Sequence, residues 1–268
     1  MPRKGRLSPM TSVLVSGMVF LCYIEEVFCD ADATEIFRDD FQMLNLENWE
    51  VANESNATNA LWDPENVFAQ NGVLTLRSAM HSQGTNRSRI NAGLTTKDFA
   101  FKYGQLLIRL KYSHGYDDDS AACSMIMLMP FGNASFPNTS IVFCSDAPTL
   151  IIAYQTYAAI SGEATKYEQT FISDGDLNLD YHIYRLVRTD ELMELYMDDI
   201  RLFNLTVPGL ENWPEMRIRL LNGLKDGQHP GNLRFMAKGL PPVPSYEFLI
   251  DYVIVLQQNR LHSGLTTG

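Results

Sequence analysis

From Phe37 to Val255 the chain reads as short apolar runs of period two, cut by turn residues. Such alternation is what a half-buried strand requires, because successive side chains of a strand point to opposite faces. The segment 66–76 (Asn-Val-Phe-Ala-Gln-Asn-Gly-Val-Leu-Thr-Leu) predicts two strands joined by an Asn-Gly turn, the strongest short-range hairpin signal. Residues 81–89 are polar and predict a loop. After Gly104, Leu106, Ile108 and Leu110 alternate with Leu107, Arg109 and Lys111, and 149–157 is β-branched and aromatic enough for a buried strand. Further strands are expected in 180–184, 192–198, 213–222 and 248–255, with 161–166 as a loop. No heptads, internal repeats, glycine-rich phosphate loops or paired-cysteine metal spacings interrupt this pattern.

The centre of the pattern is 125–146 (MIMLMPFGNASFPNTSIVFCSD), two apolar strands around a loop rich in Pro, Gly and Asn. Closed symmetrically about residues 133 and 134, this hairpin sets Cys123 opposite Cys144, Met125 opposite Val142 and Met127 opposite Ser140. Directly opposed positions bring Cβ atoms to about 4.5–5.5 Å, near the 3.5–4.5 Å of a disulfide. A Cys123–Cys144 bridge is therefore expected.

The first residues do not follow the strand pattern. Arg3, Lys4 and Arg6 precede an apolar run from Met10 to Ile24, and Ala31 and Ala33 form a small-residue cleavage pattern. This predicts a secretory signal over residues 1–33, the run of about 15 apolar residues being short for a membrane span. A single domain over 34–260 and a tail over 261–268 complete the organisation. The 268 residues are 46% apolar, enough for one large core.

Export and charge narrow the partners. Without residues 1–33 the chain keeps 18 basic and 28 acidic residues, against 21 and 32 in the whole chain of charge −11. An acidic protein is unsuited to nucleic acid or to an anionic membrane. A carbohydrate or an extracellular protein is the expected partner. Cys123 and Cys144 are the two cysteines left after signal removal, an even pair for an oxidising compartment. Six N-x-S/T acceptors, Asn53, Asn56, Asn86, Asn133, Asn138 and Asn204, fit a secreted glycoprotein. Asp117–Asp119 could offer oxygens to calcium, but an acidic loop is ordinarily solvated, so no metal or cofactor is expected.

Several of these segments, in order, resemble glycoside hydrolase family 16, the laminarinases and β-glucanases. The opening run 35–51, the Asn-Gly hairpin, residues 92–112 (AGLTTKDFAFKYGQLLIRLKY), the central hairpin, 180–198, 213–222 and the closing 248–255 each match a family segment, covering about 35–257. The resemblance implies a concanavalin A-like β-jelly-roll sandwich of two antiparallel sheets. It also implies a site on the central hairpin, where the family carries a nucleophilic Glu, a supporting Asp and an acid/base Glu.

Aligned on that pattern, Ile141 stands at the nucleophile, Phe143 at the Asp and Asp146 at the acid/base, while Met127 replaces a cleft Trp. Retaining hydrolysis needs two carboxyl groups about 5 Å apart, and no Glu occurs between Tyr112 and Ile160. The expectation is a secreted β-glucan or carbohydrate binder akin to the non-catalytic β-1,3-glucan recognition proteins, with Met127, Tyr154 and Arg188 lining the ligand site. An active endo-β-1,3-glucanase using displaced carboxylates, such as Asp117–Asp119, Glu163 or Glu168, and a structural or protein-interaction domain are the alternatives. His182 and Arg109 are expected to act in packing and as an exposed strand charge.

Overall fold

The structure is a computed structural model that describes residues 33–53, 61–83, 86–112, 123–131, 137–144, 150–158, 164–172, 177, 179–206, 209–223 and 245–258. For residues 61, 80–83, 86–89, 123, 144, 150–158, 164–170, 172 and 258 it is the backbone that is described. The expected signal (save Ala33), the C-terminal tail, Asp117–Asp119, Asp146, Glu163, Asn56 and Asn133 lie outside the described residues.

Among the described residues sixteen strands follow one another. They are β1 (Ala33–Asp39), β2 (Trp49–Val51), β3 (Leu61–Trp62), β4 (Val67–Gln70), β5 (Val73–Gln83), β6 (Asn86–Thr96), β7 (Gly104–Tyr112) and β8 (Cys123–Pro130). Then come β9 (Asn138–Cys144), β10 (Leu150–Ala158), β11 (Ala164–Ile172), β12 (His182–Arg188), β13 (Leu192–Met197), β14 (Ile200–Thr206), β15 (Met216–Asn222) and β16 (Ser245–Gln258). Among the described residues the helical elements are two single 3-10 turns, Pro64–Asn66 and Leu210–Asn212. The expected jelly-roll sandwich is the observed fold. Two antiparallel sheets run β11-β10-β9-β8-β15-β6 and β5-β16-β7-β12-β13-β14, joined at β6. The first half of β6 pairs with β5 through Ile90↔Ala79, and the second half pairs with β15 from Ala92 to Thr95.

Local chemistry explains the hairpins. Asn71 and Gly72 both take positive φ (54° and 75°), the type I′ geometry that an Asn-Gly pair accommodates. Between β13 and β14 the same geometry is built without glycine, on Asp198 and Asp199 (φ 45° and 67°). Asp198 is fastened by accepting the Ile183 amide at 2.8 Å and by a 2.5 Å contact with His182 Nδ1. His182 is thus a turn anchor. Arg109 pairs with Asp251 and lies over the Tyr181 ring at 4.8 Å, on the first-named sheet's partner rather than on the central hairpin.

The polar run 81–89 is not a loop: β5 continues to Gln83 and β6 starts at Asn86, so serines and arginines extend a ribbon whose pairing is made by backbone groups. Likewise 164–166 belongs to β11, paired with β10 from Ala164↔Ala158 to Ile172↔Leu150. Alternation of Lys166, Glu168 and Thr170 with Tyr167, Gln169 and Phe171 was the available signal.

The core fills the space between the sheets. Phe143 of β9 meets Tyr184 at 4.9 Å edge-on, Tyr112 at 5.2 Å and Phe248 at 6.1 Å, all from the opposite sheet. The Thr139 hydroxyl reaches Met193 Sδ across the same gap at 3.6 Å. At one edge Asp39 accepts the Phe41 amide and the Trp49 indole N–H, at 2.8 and 2.7 Å, holding the opening segment over the core.

Candidate functional site

The β8–β9 hairpin has two faces, and packing decides which is which. Ile126, Leu128, Ile141 and Phe143 are buried in the core cluster between the sheets. The other face therefore carries Met125, Met127 and Met129 of β8 with Ser140 and Val142 of β9, paired Met125↔Val142 and Met127↔Ser140. Ile141 and Phe143, which the alignment sets at the catalytic positions, thus face the core between the sheets rather than the outward surface. Phe143 turns inward because its ring completes an aromatic cluster with Tyr112, Tyr184 and Phe248. The outward positions of β9 are Ser140 and Val142, and neither they nor any residue from 137 to 143 is acidic.

The pairings extend this outward face across the sheet. One row runs Glu168, Tyr154, Ser140, Met127, Arg219, Thr95, Glu50, each residue opposite the next on the neighbouring strand. A second row joins Val142, Met125, Leu221 and Gly93, and a third joins Met129 to Arg217. Val142, Met125 and Leu221 are buried, whereas Met127, Met129, Arg217 and Arg219 are half-buried, so the face is open at the Met-Arg end.

Aromatic rings border that open end. Trp62 of β3 lies against Gly93, where an added Cβ would stand 2.9 Å from the indole Cζ3 and 2.9 Å from Leu221 Cδ2. Arg219 lies 5.9 Å from the Trp62 ring, and Arg217 lies 5.2 Å from the ring of Phe131, which is 44% exposed. An aromatic face beside planar donors suits a sugar ring and its hydroxyls, and Trp62 with Arg217 and Arg219 forms such a surface. Trp49 and Trp213 are core residues, 1% and 6% exposed.

Of the three expected ligand contacts, Met127 is on this face and Tyr154 holds the register position beside Ser140. Arg188 is elsewhere. It follows Tyr184 and Leu186 on the inward side of β12, and its guanidinium is closed in by Trp213 at 5.4 Å and Tyr103 at 6.0 Å. Burial drives its pKa down to about 10, with Tyr103 opposing, and its Nε and Nη1 have no hydrogen-bond partner among the described residues. Sequence reasoning missed Trp62, Arg217 and Arg219, although the alternation Arg217-Ile218-Arg219-Leu220 marks two cations on one strand face.

Of the expected glycan acceptors, Asn204 is exposed on β14, Asn53 is exposed just after β2, Asn86 opens β6, and Asn138 is half-buried opposite Thr156. Cys123 and Cys144 are Cα partners in the β8–β9 ladder. Among the described residues no three His, Cys, Asp or Glu side chains gather into a metal site.

No family sequence model and no curated protein matches the chain. Solved structures do resemble it. LamAcat of Zobellia galactanivorans superposes with a TM-score of 0.67 at 18% identity, covering 85% of this chain and 99% of that one. A Bacteroides ovatus family 16 protein of a mixed-linkage glucan system, bound to product, gives 0.68 at 14% identity over 82% and 99%. The laminarinase catalytic domain of Thermotoga maritima gives 0.63 at 16% identity over 85% and 99%. With the sandwich, the central hairpin and these superpositions in agreement, the chain has the glycoside hydrolase family 16 glucanase fold.

Proposed function

We propose that this protein is exported, loses its signal near Ala33, and binds a glycan on the outward face of the β8–β9–β15 sheet without hydrolysing it. The supporting observation is the outward face of the central hairpin, which presents Met127, Met129, Ser140 and Val142 where the chemistry calls for a carboxyl pair. Along the row that crosses this face, the described acidic positions do not form such a pair. Glu168 and Glu50 occupy opposite ends of one seven-residue row, about 29 Å apart along the sheet at about 4.8 Å per strand. Glycosidase pairs work at about 5–9.5 Å.

The fold's solved neighbours include laminarinases and mixed-linkage glucanases, so β-glucan is the first ligand to test. Purified exported protein is incubated with laminarin and assayed both for reducing ends and for binding. Binding without release, weakened by Trp62→Ala, is the expected result. Robust release of reducing ends overturns the non-hydrolytic reading, and absence of binding across a glycan array favours a structural or protein-binding role instead.

A further inference from the structure

We infer that the glycan held on this face is anionic, carrying sulfate ester or carboxylate groups gripped by Arg217 and Arg219; the inference rests on the glycan-binding reading above. Arginine matches such oxyanions because its planar fork donates two parallel hydrogen bonds. The two arginines stand two residues apart on β15, on the same face, about 6.6 Å apart along the strand. That spacing lets both converge on one anionic substituent or take two on adjacent sugars.

The rest of the molecule shows why Arg217 stands out. Among the described residues other exposed strand arginines are matched by carboxylates, as in Arg77 with Glu247, Arg109 with Asp251, Arg185 with Asp199 and Arg201 with Glu194. Acidic residues exceed basic ones by 32 to 21, so partners are abundant. Arg217 nevertheless has no carboxylate among the described residues; it lies over Phe131, and its Nε is buried without a hydrogen-bond partner. Its immediate row neighbour is Met129. A half-desolvated guanidinium braced by an aromatic ring, at the open end of the face, is arranged for an anion from outside. The nearest acidic row position, Glu50, lies beyond Thr95 on the Arg219 side, and Glu168 lies at the far end of the row.

The test compares laminarin with laminarin bearing sulfate esters and laminarin oxidised to carboxylates, by calorimetry on the exported full chain at low and high salt. An anionic derivative is expected to bind at least about tenfold more tightly than neutral laminarin, with affinity falling as salt rises. Whichever derivative binds better identifies the oxyanion. Arg217→Gln with Arg219→Gln should erase the preference, Arg217→Lys should reduce it by losing the fork, and Arg201→Gln should leave it intact. Equal, salt-insensitive binding of all three polymers overturns the inference and leaves glycan binding standing. An equal loss in Arg201→Gln overturns it by making the attraction diffuse. Binding of none of the polymers removes the glycan reading and this inference together.

Discussion

Trp62 and Gly93 are packed so closely that a single Cβ on Gly93 would stand 2.9 Å from the indole. Glycine is thus what lets the ring settle on the floor of the sheet. The neighbours that would have to give way, Trp62 Cζ3 and Leu221 Cδ2, are far ends of side chains, with Ala52 Cβ at 3.2 Å behind them. Gly93→Ala is therefore expected to swing Trp62 outward at a cost of about 1 kcal/mol. Tryptophan emission should shift and glycan affinity should fall, while the melting temperature drops only slightly. Unchanged affinity with a displaced indole would remove Trp62 from the ligand platform.

Restoring the catalytic residues by sequence alignment is expected to fail for a structural reason. Ile141 is 2% exposed within the inter-sheet core, so Ile141→Glu puts a carboxylate among apolar side chains. A loss of more than about 3 kcal/mol, or outright failure to fold, follows. Val142→Glu points the carboxyl to the outward face instead, yet no turnover is expected, because among the described residues no second carboxylate faces it within glycosidase distance. Chemical denaturation and laminarin hydrolysis of the two variants check this. Laminarin hydrolysis by Ile141→Glu would show that β9 presents its other face.

The contrast between these two positions shows what was legible in the sequence. The hairpin's register was, because a symmetric closure predicts every observed pair from Cys123↔Cys144 to Leu128↔Thr139. Its facing was not. Ile141, Val142 and Phe143 are all apolar and all buried, so period-two alternation has no polar side to mark. Only the tertiary contact of Phe143 with Tyr184 decides it. Arg188 misled for the opposite reason: a charged residue reads as exposed, yet the end of β12 buries it against Trp213. The Asn-Gly hairpin was legible because its turn geometry is set by two residues alone.

Arg188 carries its own prediction. Its pKa is lowered to about 10 by burial, so the folded state binds the proton less well than the unfolded chain does. Below pH 10 the residue is charged in both states and the desolvation cost is present in full. Stability recovers as pH rises above about 10, where the unfolded state retains more protons. Arg188→Met is expected to stabilise the protein by about 1–3 kcal/mol at neutral pH, less what the Trp213 contact supplied. Urea midpoints of parent and variant at pH 7 check it, and a less stable variant would mean that the ring contact outweighs burial.

The turn between β13 and β14 should respond to acid. Burial pushes the Asp198 carboxyl up, but the hydrogen bonds from His182 and the Ile183 amide outweigh this and hold it below the usual 3.8. A depressed folded-state value stabilises above that pH and loses the contribution as pH falls through the lowered value. Asp198→Asn keeps an acceptor for Ile183 and tolerates the positive φ, so it removes little besides charge. The carboxylate is 44% exposed, so screening holds its contribution to about 0.5 kcal/mol at pH 6. The gap between parent and variant melting temperatures should narrow as pH falls below 3.8; a gap that stays constant throughout the acid range would assign the effect to shape rather than charge.

The last prediction concerns the rim of the central hairpin, where Cys123 and Cys144 are opposed in the antiparallel ladder. Opposed positions put Cβ atoms at about 4.5–5.5 Å, and a disulfide draws them to about 3.8 Å, a closure that a strand end can absorb. In the oxidising compartment proposed for this chain, a bridge is expected to form. It would tie off a loop of about 20 residues and contribute on the order of 3 kcal/mol, chiefly by restricting the unfolded chain. The effect should reach the ligand face, because the same ladder carries Met125↔Val142 and Met127↔Ser140. Intact mass of the exported protein should rise by two hydrogens on reduction, with a lower melting temperature and weaker glycan binding. Two thiols that alkylate on unfolding without prior reduction would show instead that the pair is held by the ladder alone, and Cys123→Ser would then cost little.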